Sequence, residues 1–346
     1  MQPSLTDTPA ASQWTETLAN LNILWILGII AVLSVLRFAL VRSKFDAAHS
    51  WSEMLESGMI AVALVFLIIR PFVLQAFFIP SASMEPTLLG NNGTGDRILV
   101  NKFGYRFSSP QHDDVVVFLA PPAATVPDGL APDSDFIKRL IGMPGDHLEV
   151  VGGVVYVDGQ PHNHADVRQA LARAGEFGPE AQAAGYVSQA DHHVKFAPDG
   201  VLADTHLVSL SRLGAILTNT PNAKVLVEPG YVIRDGQKLN EPFIGEDPDY
   251  DMKMWQGEPL KRAHGEVDDT TYQNVYLLAY QPISSAQFQA DWSHPTGTVP
   301  AGNYMMMGDN RNDSSDGTNW GPLESHRVVG RAQFIFWPPS RIGVIH

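Results

Sequence analysis

A serine and a lysine stand in two short runs whose neighbours favour reactivity. Ser83 lies in the run IPSASMEPTLL at 79–89, and Lys138 lies in the run DFIKR at 135–139. A serine hydroxyl attacks a carbonyl carbon only when a base removes its proton, and a neutral lysine amine is such a base. Both residues follow apolar side chains, so a shared apolar site would desolvate the ammonium and lower its pKa. The pair indicates serine-peptidase chemistry with a lysine base.

The backbone around these two residues can be predicted from local rules. Pro86 restricts the residue before it to extended geometry, so we expect Ser83 on an exposed, rigid turn. If 135–140 form a strand, alternation puts Phe136, Lys138 and Leu140 on one face. The lysine then shares a face with apolar side chains, as a neutral base requires. Ile137 and Arg139 face the other side, and we expect the arginine to be structural.

A third run, GDNRNDSSD at 308–316, concentrates charges and two serines. One interpretation is an Asn/Asp/Gly-rich turn, and another is a calcium loop, because alternating oxygen ligands suit a hard cation. The spacing does not match the EF-hand pattern, which argues against calcium.

Composition limits the class of protein. The chain has 346 residues with Gly 29 and Pro 25, which favours many turns and a mainly β body over long helices. A net charge of -14 argues against nucleic acid as a partner. Cys 0 excludes disulfides, cysteine zinc sites and a thiol nucleophile.

The N-terminal region predicts membrane helices. We expect an extracytoplasmic N-terminus at 1–20, a first transmembrane helix at 21–41, a cytoplasmic loop at 42–57 and a second transmembrane helix at 58–75. Arg37, Arg42 and Lys44 follow the first apolar segment, which places that loop in the cytoplasm by the positive-inside rule. A cleaved signal peptide is the alternative for the first segment, but no basic residue precedes it. A buried core helix is the alternative for the second.

Beyond residue 75 the pattern predicts short strands. Runs of β-branched residues at 115–119, 148–151, 154–157 and 225–227 are bounded by Gly, Pro and Asp. Gly152-Gly153 and Asp158-Gly159 are hairpin signals, and Asp235-Gly236 repeats the second. We predict a soluble helix at 167–174 and an extracytoplasmic catalytic β domain at 76–160 and 301–346, with a variable inserted subdomain at 161–300.

The histidines offer a competing chemistry. His162 and His164 lie near Asp166, and His192 and His193 lie near Asp191, so a metal site is conceivable. No His-Glu-x-x-His helix occurs and no histidine stands in a nucleophile-elbow context. We therefore expect solvated loop histidines, no metal and no Ser-His-Asp triad.

The three runs and their order resemble those of bacterial type I signal peptidase, also called leader peptidase. The matching residues are the Ser-Met-x-Pro-Thr-Leu run, the Ile-Lys-Arg run followed by Gly-Met-Pro-Gly-Asp at 142–146, and the run at 308–316, all downstream of apolar segments. The resemblance implies a multi-pass protein of the inner (cytoplasmic) membrane whose extracytoplasmic domain removes signal peptides from preproteins through an acyl-enzyme, without a cofactor. The preprotein substrates carry small residues at the first and third positions before the cut, and the bilayer is the other partner.

The resemblance also assigns roles to individual residues. Ser83 is the nucleophile, Lys138 the general base, and Ser81 forms an oxyanion hole with the Ser83 N–H. Ser314 hydrogen-bonds the lysine amine, and Asp309, Arg311 and Asp316 form a supporting charge network. Shallow substrate pockets are lined by Phe77, Ile79, Met84, Leu88, Ile98, Val117, Phe136 and Ile137, although some or all of these residues could simply form core.

Some positions depart from the family pattern. The loop at 90–96 is longer, and 112–114 is His-Asp-Asp where relatives often have Arg-Gly-Asp. Thr318 stands where some relatives have an arginine partner for the nearby aspartate, so we expect Arg311 to serve alone. Two alternatives stay open, a Ser-Lys peptidase that matures one dedicated substrate and a membrane-anchored binding protein with a degenerate site.

Overall fold

The structure of the protein is a computed structural model. The residues that it describes are 23–42, 48–69, 73–90, 95–125, 129–177, 193–204, 206–220, 222–264 and 297–346. In these residues the protein is mainly β, as predicted. The strands are β1 Leu74–Phe78, β2 Arg97–Asn101, β3 Val115–Leu119, β4 Asp135–Gly142, β5 Leu148–Val151, β6 Val154–Val157, β7 Gln160–His162, β8 Val194–Ala197, β9 Gly200–Ala203, β10 His206–Ser209, β11 Val225–Glu228, β12 Tyr231–Arg234, β13 Gln237–Lys238, β14 Tyr250–Trp255, β15 Glu258–Ala263, β16 Asn303–Met307, β17 Leu323–Glu324, β18 Val328–Trp337 and β19 Gly343–Val344.

Helices are fewer and mostly short. They are α1 Ile23–Val41, α2 Ala48–Ala63, α3 Pro122–Thr125, α4 His164–Ala174, α5 Leu210–Thr218 and α6 Gly317–Trp320. A π-helical turn at Leu64–Ile69 continues α2, and 3-10 turns lie at Ala82–Met84, Gly104–Arg106, Ser325–Arg327 and Pro339–Arg341.

An eight-stranded antiparallel sheet carries all three motif runs. Its order is β1-β2-β18-β3-β4-β16-β17, with β19 paired to β18. Strand β3 is buried over Val115 to Phe118, and β4 is buried over its second half. Because β-branched and aliphatic side chains fill both faces here, these strands lie at the centre of the sheet. The lysine of β4 therefore lies on a buried, central strand of the main sheet.

The remaining strands form three smaller sheets. Their orders are β10-β9-β8, β11-β6-β7 and β13-β12-β5-β14-β15. In the described residues, β5 pairs with β12 and β14, and β6 pairs with β11 and with β7, which begins at Gln160, so by sheet pairing they group with the predicted insert. We therefore propose that the inserted subdomain begins near Leu148 rather than at residue 161.

The two kinds of turn signal had different outcomes. Asp158-Gly159 and Asp235-Gly236 form the predicted hairpins, β6 to β7 and β12 to β13, with positive φ at all four residues. The predicted Gly152-Gly153 hairpin is wrong, because β5 and β6 belong to different sheets. A Cβ at Gly153 would lie 2.2 Å from Asp247 Oδ2, so close packing explains this glycine.

The predicted soluble helix is confirmed as α4. Asn163 caps it through a capping box with Asp166, and Gly175 ends it in the left-handed conformation. Helix α5 was not predicted, although its N-terminal Ser209 and its C-terminal Asn219 at φ 57° are typical helix boundaries.

The N-terminal helices differ in extent from the predicted segments. Helix α2 begins at Ala48, inside the segment predicted as a loop, and Leu74 and Gln75 at the end of the second predicted span belong to β1. Within the described residues, one stretch, Ser50–Leu67, is long and apolar enough to cross a membrane, with a mean hydropathy of 1.3 and 6% of it buried. The apolar stretch in α1, Trp25–Val41, is shorter.

Candidate active site

The nucleophile candidate lies on a short turn between β1 and β2. Residues Ala82–Met84 form a 3-10 helix, and Glu85 is extended at φ -66° and ψ 143°, as Pro86 requires. Ser83 is 7% exposed and the neighbouring Met84 is fully buried. Ser83 is thus buried and not exposed as expected, because the adjacent Met84 packs into the core between β1, β2 and β3.

Lys138 reaches this turn from β4. Its Nζ donates a hydrogen bond to Ser83 Oγ at 2.7 Å and another to the carbonyl oxygen of Ile137 at 3.0 Å. The side chain is 4% exposed, and burial lowers its pKa to about 8, although Asp316, Asp309 and Asp313 act in the opposite direction. Near neutral pH, Lys138 is therefore neutral in part of the molecules and can accept a proton there.

The strand places the residues of the DFIKR run on alternating faces, as predicted. Phe136 and Leu140 pack in one cluster with Val116 and Phe118, whereas Ile137 packs against the cluster on the other side. Lys138 is paired in register with Val116. Its neighbours on the sheet are therefore apolar, which accounts for the desolvation that lowers its pKa.

A second hydroxyl lies beside the nucleophile. Ser81 Oγ is 3.3 Å from Ser83 Oγ. The first N–H groups of a short helix have no partner within the helix, and the Ser83 N–H is one of them. The Ser81 hydroxyl and the Ser83 N–H are the two donors that the resemblance assigns to an oxyanion hole, and this role stays a prediction.

Gly90 fixes the position of Ser81 and was not singled out from the sequence. A Cβ at Gly90 would lie 1.7 Å from the carbonyl oxygen of Ser81 and 2.7 Å from its nitrogen. Only glycine permits this approach of two backbone segments. In the sequence, the only sign of this role is that Gly90 directly follows the Leu88-Leu89 pair.

The loop at 308–316 closes over the serine turn. The backbone N–H of Asn310 donates to the Ser83 carbonyl at 3.2 Å, and its side-chain amide donates to the Ala82 carbonyl at 3.3 Å. A Cβ at Gly308 would lie 2.5 Å from the Ser83 carbonyl and 2.3 Å from Ser314 Oγ. This glycine therefore lets the loop pack directly against the turn.

The predicted hydrogen bond between Ser314 and Lys138 is not formed. Ser314 Oγ is buried and has no hydrogen-bond partner in the described residues. The amine is oriented instead by the carbonyl of Ile137. The hydroxyl of Ser314 lies close to Gly308, 2.3 Å from the position that a Cβ at this glycine would take.

The supporting charges do not form one network. Asp309 is paired by both oxygens with Arg139, at 2.8 Å to Nε and 2.7 Å to Nη2, and both side chains are completely buried. Thr87 donates to the same carboxylate at 2.6 Å. Arg139 is thus structural, as expected, and it takes the place predicted for Arg311.

Arg311 and Asp316 have other partners. Arg311 pairs through two hydrogen bonds with Glu241 of the insert, one of them 3.0 Å long, and donates to the Gly308 carbonyl at 3.1 Å. Asp316 accepts from the Gly308 N–H at 2.8 Å and caps α6 through Thr318. The expectation that Arg311 alone balances the nearby aspartates is wrong, because the insert supplies its carboxylate partner.

The eight predicted pocket residues separate into two groups. Five are buried in the core with at most 2% exposure, namely Ile79, Met84, Leu88, Ile98 and Val117. Phe77, Phe136 and Ile137 are partly exposed. Phe136 and Ile137 precede Lys138 on β4, and Phe77 lies on the edge strand β1 and packs against the same buried cluster as Ile137. These three can contact a substrate without movement of the core.

The prediction of solvated histidines is wrong for two of the four. His164 is 1% exposed and its Nε2 lies 3.0 Å from Asp247 Oδ1, while His193 Nδ1 lies 3.3 Å from Glu246 Oε1. Asp166 belongs to the capping box of α4. His192 and Asp191 lie outside the described residues. The two buried carboxylates hold insert strands together by accepting backbone N–H groups of Val194, Phe196 and Gly230.

Comparisons with known proteins agree with the order of the motifs. A family profile described as "Signal peptidase, peptidase S26" matches residues 51–206 and 219–337. A probable signal peptidase I of Mycobacterium leprae is 39% identical over 305 residues, which cover 83% of this chain and 76% of that protein. A signal peptidase I of Aquifex aeolicus is 28% identical over 295 residues, covering 82% and 83%. A probable signal peptidase I-1 of Synechocystis sp. is 27% identical over 286 residues, covering 82% and 83%.

Proposed function

The chain belongs to the peptidase S26 family of signal peptidases, a serine endopeptidase family that removes signal peptides, and we propose that Ser83 and Lys138 perform this reaction. The observation that carries the proposal is the 2.7 Å contact between the buried amine of Lys138 and the hydroxyl of Ser83. A lysine with a pKa of about 8 can accept the serine proton near neutral pH.

Acylation begins with the neutral amine. Ser83 Oγ attacks the scissile carbonyl carbon while Lys138 Nζ takes the hydroxyl proton. The carbonyl oxygen becomes an oxyanion, which accepts hydrogen bonds from the Ser81 hydroxyl and the Ser83 N–H. The carbon–nitrogen bond then breaks, the Lys138 ammonium gives its proton to the departing amine, and the signal peptide remains as an ester on Ser83. Lys138 is neutral again.

Deacylation uses the same groups. Lys138 removes a proton from a water molecule, whose oxygen attacks the ester carbonyl. A second oxyanion forms at the same donors, the bond to Ser83 Oγ breaks, and the serine recovers its proton from the ammonium. The 3.0 Å bond to the Ile137 carbonyl keeps the amine in place through both halves of the reaction.

We propose that the substrates carry small residues at the first and third positions before the cut. Phe77 and Ile137 pack against one buried cluster and Phe136 against the cluster on the other face of β4, and all three are partly accessible. Packed walls of this kind leave space for a methyl group, because a larger side chain would displace atoms at a cost of about 1–3 kcal/mol. Cleavage of a panel of preproteins tests whether the protein processes many substrates or one dedicated substrate.

We further propose that α1 and α2 span the inner (cytoplasmic) membrane, with the β domain outside. In support, α1 and α2 expose apolar side chains such as Trp25, Val35 and Ile60, each at least 60% accessible. The π-helical turn at Leu64–Ile69 lies only a few residues before β1. A bilayer would cover this apolar surface and hold the catalytic turn near the membrane, where exported preproteins emerge.

The test is cleavage of a preprotein with Ala at both small-residue positions by detergent-solubilised full-length protein. We expect Ser83→Ala and Lys138→Ala to abolish cleavage at the signal junction. Lys224→Ala, at an exposed lysine, is the matched control and should retain full activity. Full activity of either dyad variant would contradict the proposed roles, while an inactive, folded wild-type protein would favour a dedicated substrate.

A further inference from the structure

Asp316 is a buried carboxylate without a salt bridge in the described residues. It is completely buried, and its oxygens accept hydrogen bonds from the Gly308 N–H at 2.8 Å, the Thr318 N–H at 2.9 Å and the Thr318 hydroxyl at 2.7 Å. Neutral donors stabilise a carboxylate less than a cation does. The charge of Asp316 therefore needs a counter-charge from elsewhere in the fold.

A lysine of the insert lies one hydrogen bond away. Lys261, on β15, donates from Nζ to Thr318 Oγ1 at 3.2 Å and to Asn319 Oδ1 at 2.9 Å. Because the single hydroxyl hydrogen of Thr318 is given to Asp316, its lone pairs are free to accept from the lysine. The chain Lys261, Thr318, Asp316 thus connects a cation to the carboxylate through one hydroxyl.

Lys261 is also connected through Asn319 to the loop at 308–316. Asn319 donates its side-chain amide to the Ser314 carbonyl at 3.0 Å. Lys261 Nζ also lies 3.8 Å from the centre of the Tyr250 ring on β14. These contacts hold the ammonium at one place between the insert and the loop.

We infer that Lys261 is a positioning residue for the cleavage reaction, which through Thr318 supplies the positive charge that balances Asp316 and so limits the negative field at Lys138. The inference rests on the proposed roles of Ser83 and Lys138.

The charges around Lys138 show why Lys261 matters. Asp316, Asp309 and Asp313 all favour the protonated amine and raise its pKa against burial. Asp309 is neutralised by Arg139, and Asp313 is exposed to solvent, which screens it. Asp316 is therefore the carboxylate whose effect on the catalytic amine depends most on Lys261.

The surroundings of Lys261 act on the pKa of its amine in opposite directions. Burial lowers the pKa of its amine, whereas Asp316 and Asp249 favour the ammonium. Tyr250 adds a ring face and burial raises the pKa of its phenol, so it remains uncharged in the working range. Loss of the ammonium would leave Asp316 unbalanced and would raise the pKa of Lys138.

The experiment is the pH dependence of kcat/KM for full-length protein in detergent, with a preprotein peptide as substrate. Lys261→Met should shift the acid limb of the kcat/KM profile to higher pH by about one unit, which is the lower end of the pKa shift that a neighbouring charge produces. At pH values on this limb, cleavage should be about tenfold slower. Lys261→Arg should keep the limb in place. Lys224→Met, which removes the same charge at an exposed site, should leave the profile unchanged.

Asp316→Asn provides the second arm. Because Lys261 acts through Asp316, Lys261→Met should shift the limb in the wild-type background and not in the Asp316→Asn background. A Lys261→Met protein whose rate falls equally at every pH would overturn the inference, since a merely structural lesion has that result. Cleavage by a Ser83→Ala control would instead contradict the proposed function, so the two failures are distinguishable.

Discussion

Three features of its surroundings determine the chemistry of the Lys138 amine. It is 2.7 Å from the nucleophile candidate and 3.0 Å from a carbonyl that holds it, and apolar side chains of β3 and β4 exclude water from it. A lysine in water is protonated until well above neutral pH. At the residue scale, burial lowers the pKa of this amine, which is what the proposed role of Lys138 as a base requires.

The pH dependence of cleavage follows from this burial. With a pKa of about 8, Lys138 is an ammonium below that pH and a neutral base above it. We therefore expect kcat/KM to rise about tenfold per pH unit as the pH approaches 8 and then to level off. The measurement is initial cleavage rate at low substrate concentration across that range. A rate that is flat from about pH 6 upward would contradict the role of the lysine as base.

Gly90 gives a second prediction at this scale. Gly90→Ala would place a carbon 1.7 Å from the Ser81 carbonyl oxygen, so the backbone around Ser81 must move. Misplacing one oxyanion donor reduces kcat by about a hundredfold or more. Ser81→Ala serves as the reference for a lost donor. At Gly343, where the nearest atom to an added Cβ is 3.8 Å away, alanine should be neutral. Equal kcat for Gly90→Ala and wild type would show that the serine turn tolerates displacement.

At the element scale, the segment 241–249 of the insert forms hydrogen bonds and an ion pair with the loop at 308–316. Arg311 pairs with Glu241, and Asn312 donates to Glu246 Oε2 at 3.1 Å and to the Asp247 carbonyl at 3.0 Å. The backbone N–H of Asp249 completes the contact by donating to Asn312. The insert is thus part of the framework that positions the loop and not an appendage.

The ion pair of Arg311 and Glu241 should be important for stability. Both side chains are at most 4% exposed, so Glu241→Ala would leave a buried guanidinium without its counter-charge. Removing one partner of a buried pair costs about 3–5 kcal/mol of unfolding free energy. Denaturant unfolding of the full-length protein measures this loss.

A surface pair is the control for that measurement. Glu324→Ala breaks the contact of Glu324 with Arg327, where the glutamate side chain is 57% exposed. An exposed pair contributes about 0–1 kcal/mol, so this variant should unfold close to wild type. If both variants unfolded alike, the contact between insert and loop would not carry stability.

At the scale of the whole molecule, two apolar helices precede a β body whose main sheet begins with β1. Helices α1 and α2 lie side by side, with Arg37 and Glu56 in contact between them. Strand β1 follows the π-helical turn after three intervening residues and a turn, and leads to Ser83. In sequence, the candidate active site therefore follows closely after the apolar helices.

The absence of cysteine permits a clean test of membrane topology. The sequence has Cys 0, so a single introduced cysteine is the only thiol. In intact cells, we expect a membrane-impermeant maleimide to label Ser108→Cys and to leave Ser43→Cys unlabelled until the membrane is permeabilised. Labelling of Ser43→Cys from outside would contradict the proposed orientation.

The mainly β class, the Asp-Gly hairpins and the candidate pair Ser83 and Lys138 could be predicted from the sequence, because they depend on local composition, on side-chain alternation and on backbone preferences over a few residues. Which charges pair with one another follows from the fold alone. Arg139 and Arg311 were both available to Asp309, and the sheet register selected Arg139. Glu241 and Lys261 were invisible as parts of the site because they are far from the loop in sequence. Ion pairs form between charges that folding brings together, so their partners follow from packing and not from proximity along the chain.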